Sequence, residues 1–264
     1  LSPETWLVDA NVPLRLGLTV PGSVAAQTAT LEIILHTTSG GEVARTQLPL
    51  TIGADPPVEA VDQRSLAVAR RLHDQARALL GAGDVSSARM MLEEAANLGG
   101  AHAARELGDL ALKQGQLTTA RQYYERALVN GKRIAATFPN SPGRQRDLTV
   151  IHDKIGAVLK AQGNHADALK AFQASLAIRE ELLKSDPASA DRLRDVSISH
   201  EQIGDARLEQ GNLTEAEKSF KASIEISGRL AKLAPENSDR QRELAIAHDK
   251  LGDALLAAGS HAHA

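Results

Sequence analysis

Apolar and polar positions change rhythm along this chain. From residue 142 onward, apolar side chains recur at steps of three and four, as at Leu148, Ile151, Ile155 and Leu159, which lines one side of an α-helix. Before residue 53 the step is two. Leu14, Leu16, Leu18 and Val20 alternate with other residues, as in a half-buried strand. Thr30 to Thr38 and Val43 to Ile52 are rich in strand formers and flank Ser39-Gly40-Gly41, a hairpin signal. Thr5 to Val8 offers a fourth strand. Gly53-Ala54-Asp55-Pro56-Pro57 ends the first rhythm, and its two prolines make it a stiff linker.

The helical part repeats itself. Leu107-Gly108-Asp109 recurs as Ile155-Gly156, Ile203-Gly204-Asp205 and Leu251-Gly252-Asp253, with the glycines 48 residues apart. Gly115, Gly163, Gly211 and Gly259 keep the same step seven residues later. Ala120, Ala168, Ala216 and Ala264 follow, then Tyr124, Phe172 and Phe220, then Pro139, Pro187 and Pro235. Each mark has a physical task. A glycine inside a helix costs about 1 kcal/mol against alanine, so the first glycine predicts close approach of a neighbouring helix. The second predicts a left-handed helix end. Proline forbids further helix, and Ser141, Ser189 and Asn237 beyond it are suitable N-caps. The unit is helix, tight turn, helix, with one copy running from Pro142 to Ala161 and from His165 to Lys184.

These residues resemble the tetratricopeptide repeat: a glycine, an alanine twelve later, an aromatic at sixteen and a small residue at nineteen (Ala127, Ser175, Ser223). The proline falls fifteen residues after the aromatic, as from Phe172 to Pro187, rather than the family's eight. The second helix is thus longer by about two turns, as in long-repeat bacterial versions. Ala88 to Ala96 through Gly99, then Ala103 and Leu107-Gly108, resembles the related Sel-one-like repeat and predicts a shorter first unit over 60–98. The fold expected is mainly α: a small antiparallel β-rich domain over 1–53, either packed on the first helices or part of an immunoglobulin-like sandwich, a linker over 54–59, and an α-solenoid over 60–264.

Aromatics make up only 2% of residues, so the core must rest on Leu, Ile, Val and Ala. The net charge of −3 speaks against nucleic acid as a partner, which a basic face would advertise. There are no cysteines, which removes disulfides and thiolate chemistry. No apolar run reaches the roughly 18 residues of a membrane span. Composition leaves the compartment as cytoplasmic, with the periplasm as alternative, and says nothing of oligomeric state.

No phosphate-binding glycine loop, Gly-x-Ser-x-Gly or His-Glu-x-x-His is present, so neither an enzyme nor a cofactor is expected. His152, His200 and His248 recur at the repeat step but would stand on the order of 10 Å apart, too far to share a metal with ~2 Å bonds. Arg144, Arg192 and Arg240 open a repeated Arg-x-Arg-acid element, read as inter-repeat ion pairs or, alternatively, an acid-binding stripe. The resemblance implies that the groove-lining positions lie three residues before the first glycine and one, four and five after it. That gives a row of Asp153, Glu201 and Asp249, a second row of Asp109, Asp205 and Asp253, and Lys160 with Glu209 beside them. They form either a solvated face or a groove for a basic protein or peptide.

The resemblance therefore implies an interaction scaffold that holds a protein or peptide partner, or else the regulatory arm of a larger bacterial enzyme or signalling protein. The last repeat stops after its first helix, so the natural protein is expected to continue beyond Ala264. Leu251, Leu255 and Leu256 of that helix are expected to lack a cover.

Overall fold

The computed structural model describes residues 27–36, 42–52 and 62–259. The chain divides into two compact units, Leu1–Val58 and Glu59–Ala264. In the first, β1 (Gln27–His36) and β2 (Glu42–Ile52) pair antiparallel, with Gln27 opposite Ile52 and a register irregularity at Leu35/His36. They lie on either side of Ser39-Gly40-Gly41, with β1 beginning three residues and ending two residues before the expected 30–38. The strands expected at 5–8 and 12–20, and the proline linker, lie outside the described residues.

The second unit is helical hairpins in succession. Its elements are α1 (Gln63–Gly81), α2 (Val85–Asn97), α3 (Ala101–Lys113), α4 (Leu117–Thr137), α5 (Pro142–Ala161), α6 (His165–Ser185), α7 (Ala190–Glu209), α8 (Leu213–Leu233) and α9 (Ser238–Ala257). α5 ends where the sequence places it, and α6 runs one residue further. The residues responsible are those that recur. Asp62, Asp84, Asn164, Ser189 and Asn237 cap their helices with side-chain oxygens that accept from backbone N–H groups. α4, α6 and α8 stop at Phe138, Asp186 and Ala234, each immediately before a proline and each out of the helical region, with φ −129°, −155° and −139°. Steric crowding by the proline ring drives the preceding residue there.

Each described hairpin turn carries a glycine with positive φ, from 72° at Gly115 to 85° at Gly83, and Gly259 after α9 has φ 70°. At Gly163 the amide donates to Lys160 O at 2.9 Å, and the next amide, Asn164 N, donates to Leu159 O at 2.9 Å. This wraps up two carbonyls that the helix end leaves over. The mid-helix glycines answer a different need. A Cβ on Gly108, Gly156 or Gly204 would lie 2.5 Å from the ring of Tyr124, Phe172 or Phe220 respectively. The absent side chain is what lets the second helix of each hairpin seat its aromatic on the first. Gly252 has nothing within 4 Å of that position.

The core is a strip of alanines, leucines, isoleucines and these aromatics between successive helices. Ala120, Ala168 and Ala216 are all 0% exposed, as their register requires. α9 departs from expectation in part. Leu251 packs on a cluster with Ala216 and Phe220, so the hairpin before it covers this residue, and Leu255 is buried at 7%. Leu256 alone of the three stands exposed, at 49%.

Candidate partner-binding face

The first helices of the hairpins, α3, α5, α7 and α9, carry the acidic rows. The structure ties two of those six carboxylates, and the Lys160–Glu209 pair beside them, to a neighbouring first helix. Asp109 of α3 accepts from Lys154 Nζ of α5 at 2.8 Å and from the Tyr124 hydroxyl at 2.7 Å. Burial and then the Asp109 carboxylate push the Tyr124 phenol well above its ordinary pKa. Asp205 of α7 accepts from Lys250 Nζ of α9 at 2.5 Å, and that ammonium also lies 6.0 Å from the Phe220 ring centre. The α5–α7 step lacks this rung, because the equivalent residues are Ala157 and Gln202. A different pair joins it: Lys160 lies 3.2 Å from Glu209.

The Arg-x-Arg-acid element serves the same purpose. Arg146 of α5 meets Asp195 of α7 at 3.4 Å, and Arg194 of α7 meets Glu243 of α9 at 2.5 Å. Arg144 and Arg240 fold back on Asp147 and Glu243 within their own helices, at 3.3 and 3.1 Å. Arg192 instead donates to Leu182 O and Ser185 Oγ at the end of α6, so of the three repeated arginines only Arg144 and Arg240 meet an acid of their own element. The acidic rows consequently hold fewer free charges than a count of carboxylates suggests. Pairs as exposed as these contribute roughly 0–1 kcal/mol each. Their effect is to fix the register of one first helix against the next.

Four members of the rows differ. Asp153 is paired to Arg179 of α6, whose Nη2 donates to Oδ2 at 2.6 Å. Burial nonetheless raises the Asp153 pKa against the opposing pull of that guanidinium. Glu201 accepts from the Ser223 hydroxyl at 2.9 Å, and burial likewise raises its pKa. Asp249 and Asp253 on α9 are exposed. His152 and His200 are half-buried with pKa values lowered first by burial, while His248 is exposed. Among the described residues no three His, Cys, Asp or Glu side chains converge as a metal would need.

The sequence did not single out the basic partners. Lys154 and Lys250 stand two residues before their glycines, 45 residues from the aspartates they meet. That constant offset was a readable signal. Arg179 repeats nowhere, and only packing reveals it.

An array of stacked helical hairpins with one continuous face of first helices defines a class of protein built for surface rather than for an enclosed site. The sequence places this chain within that class. Tetratricopeptide-repeat profiles match residues 73–141, 153–189 and 199–229. The chain thus carries tetratricopeptide repeats. Among solved structures it is similar in fold to BtubC (BKLC) from P. vanneervenii, at 16% identity and TM-score 0.52, covering 78% of this chain and 86% of that one. It is also similar to a Podosopora anserina putative kinesin light chain with nearly identical TPR-like repeats, at 18% identity and TM-score 0.52, covering 76% and 90%. No curated protein matches in sequence. Among the described residues no helix is long and apolar enough to cross a membrane.

Proposed function

We propose that the chain is a binding scaffold that holds a protein or peptide on the face formed by α3, α5, α7 and α9, and that it does so without catalysing a reaction. The observation carrying this reading is the side-by-side placement of those helices through the Asp109–Lys154, Lys160–Glu209 and Asp205–Lys250 contacts. Such contacts lock successive repeats into one surface long enough for an extended partner, as helical-repeat arrays provide. The partner is basic, because Glu201, Asp249 and Asp253 hold no ion pair among the described residues. The strands β1 and β2 belong to a small β domain ahead of the array, and the 48-residue units are of the long bacterial kind behind a Sel-one-like first unit.

Photo-crosslinking tests the face. A crosslinking amino acid at Asp249 or Asp253 should capture a discrete partner in cells of the source organism. The same group at Glu181, 71% exposed on the second helix α6, should not. Equal capture from both faces, or none from α9, removes the reading.

A further inference from the structure

The hairpins α5–α6 and α7–α8 have the same backbone plan and differ most at one polar interior position. In α5–α6 that position is Arg179. Its side chain is 8% exposed, and it donates to Asp153 Oδ2 at 2.6 Å and to Ser199 Oγ at 2.5 Å. Forty-eight residues on, the arginine is Ser227, the aspartate is Glu201, and the threonine facing them, Thr149, is Ser197. Ser197 Oγ lies 2.8 Å from Ser227 Oγ and 2.9 Å from Ser223 Oγ, and Ser223 donates to Glu201 at 2.9 Å. A long cationic side chain has become a short hydroxyl, and the space is not refilled. What stands there is a cleft of about 70 Å³, bordered by Arg194, Ser197, Glu201, Ser227, Glu243 and Ile246. One water needs only about 10–15 Å³, so the cleft takes a group of several heavy atoms.

The charge around it is unbalanced in a specific way. Glu243 is held by Arg194 at 2.5 Å and Arg240 at 3.1 Å, and Asp205 is held by Lys250 at 2.5 Å. Glu201 has no ion pair among the described residues, although the carboxylate in its place one repeat earlier has the buried Arg179. Burying the Glu201 carboxylate is costly and raises its pKa, a cost that the Lys250 ammonium, held by Asp205, offsets only in part. An incoming cation would relieve that cost, and the hydroxyls of Ser197 and Ser227 add acceptors suited to a planar fork of N–H donors.

We propose that this cleft is a socket for one arginine side chain of a partner, which takes in α7–α8 the place that Arg179 fills from within in α5–α6. The proposal rests on the scaffold reading and names the chemistry that one repeat of it recognises.

Two measurements test it. Ser227→Arg supplies the missing side chain from within, and its melting temperature should stay at or above that of the parent. Adding Glu201→Gln to Ser227→Arg should lower the melting temperature, whereas the same change in the parent should not. If Ser227→Arg destabilises equally with glutamate or glutamine at 201, the cleft is no cation socket. The second measurement titrates N-acetylarginine amide into the isotopically labelled protein and follows amide resonances. Saturable shifts should appear around 197–201 and 223–230. Glu201→Gln should weaken the affinity about tenfold, the loss that a change of about 1.4 kcal/mol produces, and Ser227→Arg should abolish it. Equal binding of the uncharged isostere N-acetylcitrulline amide, or no saturable shift up to the solubility limit, overturns the proposal. Crosslinking from Asp249 that persists after such a failure would leave the scaffold standing without the socket. Arginine binding without any crosslink would do the reverse.

Discussion

Hairpins α5–α6 and α7–α8 are built on one frame and filled differently. Both seat a phenylalanine over a mid-helix glycine at 2.5 Å from where its Cβ would be, both turn through a left-handed glycine, and both end before a proline. Inside the frame, Thr149, Asp153, Ser175 and Arg179 of the one become Ser197, Glu201, Ser223 and Ser227 of the other. The residues that dictate backbone path recur because no other side chain satisfies the same steric demand. The polar interior only has to be satisfied collectively, so it is free to differ. Specificity in such an array resides in the second set.

Substitutions can break each half of this contrast. The largest effect should come from the shared frame: Ala168→Asp or Ala216→Asp buries an unpaired charge at a site with 0% exposure. The loss should be on the order of 3–5 kcal/mol by urea unfolding, and a loss under about 1 kcal/mol would show that the register is wrong. Next comes Asp153→Asn, which strands the Arg179 guanidinium. It should cost about 2–3 kcal/mol, below the range for a fully buried pair, while the equivalent change in α7–α8 strands nothing. Gly156→Ala and Gly204→Ala should each cost about 1–2 kcal/mol through overpacking on the phenylalanine ring. Gly252→Ala meets open space and should instead stabilise by up to about 1 kcal/mol through helix propensity.

The smallest effect is a pH dependence. Because burial raises the Glu201 pKa above its ordinary 4.5, the folded form holds the proton more tightly than the unfolded chain. The parent therefore gains stability as pH falls through the raised value toward 4.5, and loses it again as pH rises. Lys250, Asp205, Glu243 and the Ser223 hydroxyl all act on this carboxylate. Glu201→Gln, which keeps a side chain able to accept from Ser223, should stabilise by less than about 1 kcal/mol at neutral pH. That advantage should vanish below pH 4.5, as melting curves across pH would reveal.

The helical half of the fold was legible because its determinants are local and recur in phase. Gly163 with Asn164, or Asp186 with Pro187, states a helix end without reference to anything distant. The strands β1 and β2 were read from strand-forming residues on either side of a glycine turn, not from alternation. The face was legible only as positions. Asp109 and Asp205 fall on the first helices as the resemblance implies, yet their partners Lys154 and Lys250 lie 45 residues away. Charge patterns carry no sign of whether a carboxylate meets solvent or the next repeat. The fate of Leu255 shows the same limit. It is buried, though the helix expected to cover it is not among the described residues, because an apolar stripe records that a face seeks cover and not which neighbour supplies it.

The hairpin joints have a further consequence. Gly163-Asn164 and Gly211-Asn212 are the same dipeptide, at φ 76° and 73° on the two glycines. Removing the stretch from Asn164 to Gly211 would splice Gly163 to Asn212 and restore the dipeptide without a foreign junction. It would also bring Phe220 to the helix where Phe172 now rests on Gly156. Inserting the same stretch a second time would leave equally seamless joints. The array is therefore divisible at its turns, and its length can change by whole units of 48 residues while every seam stays native.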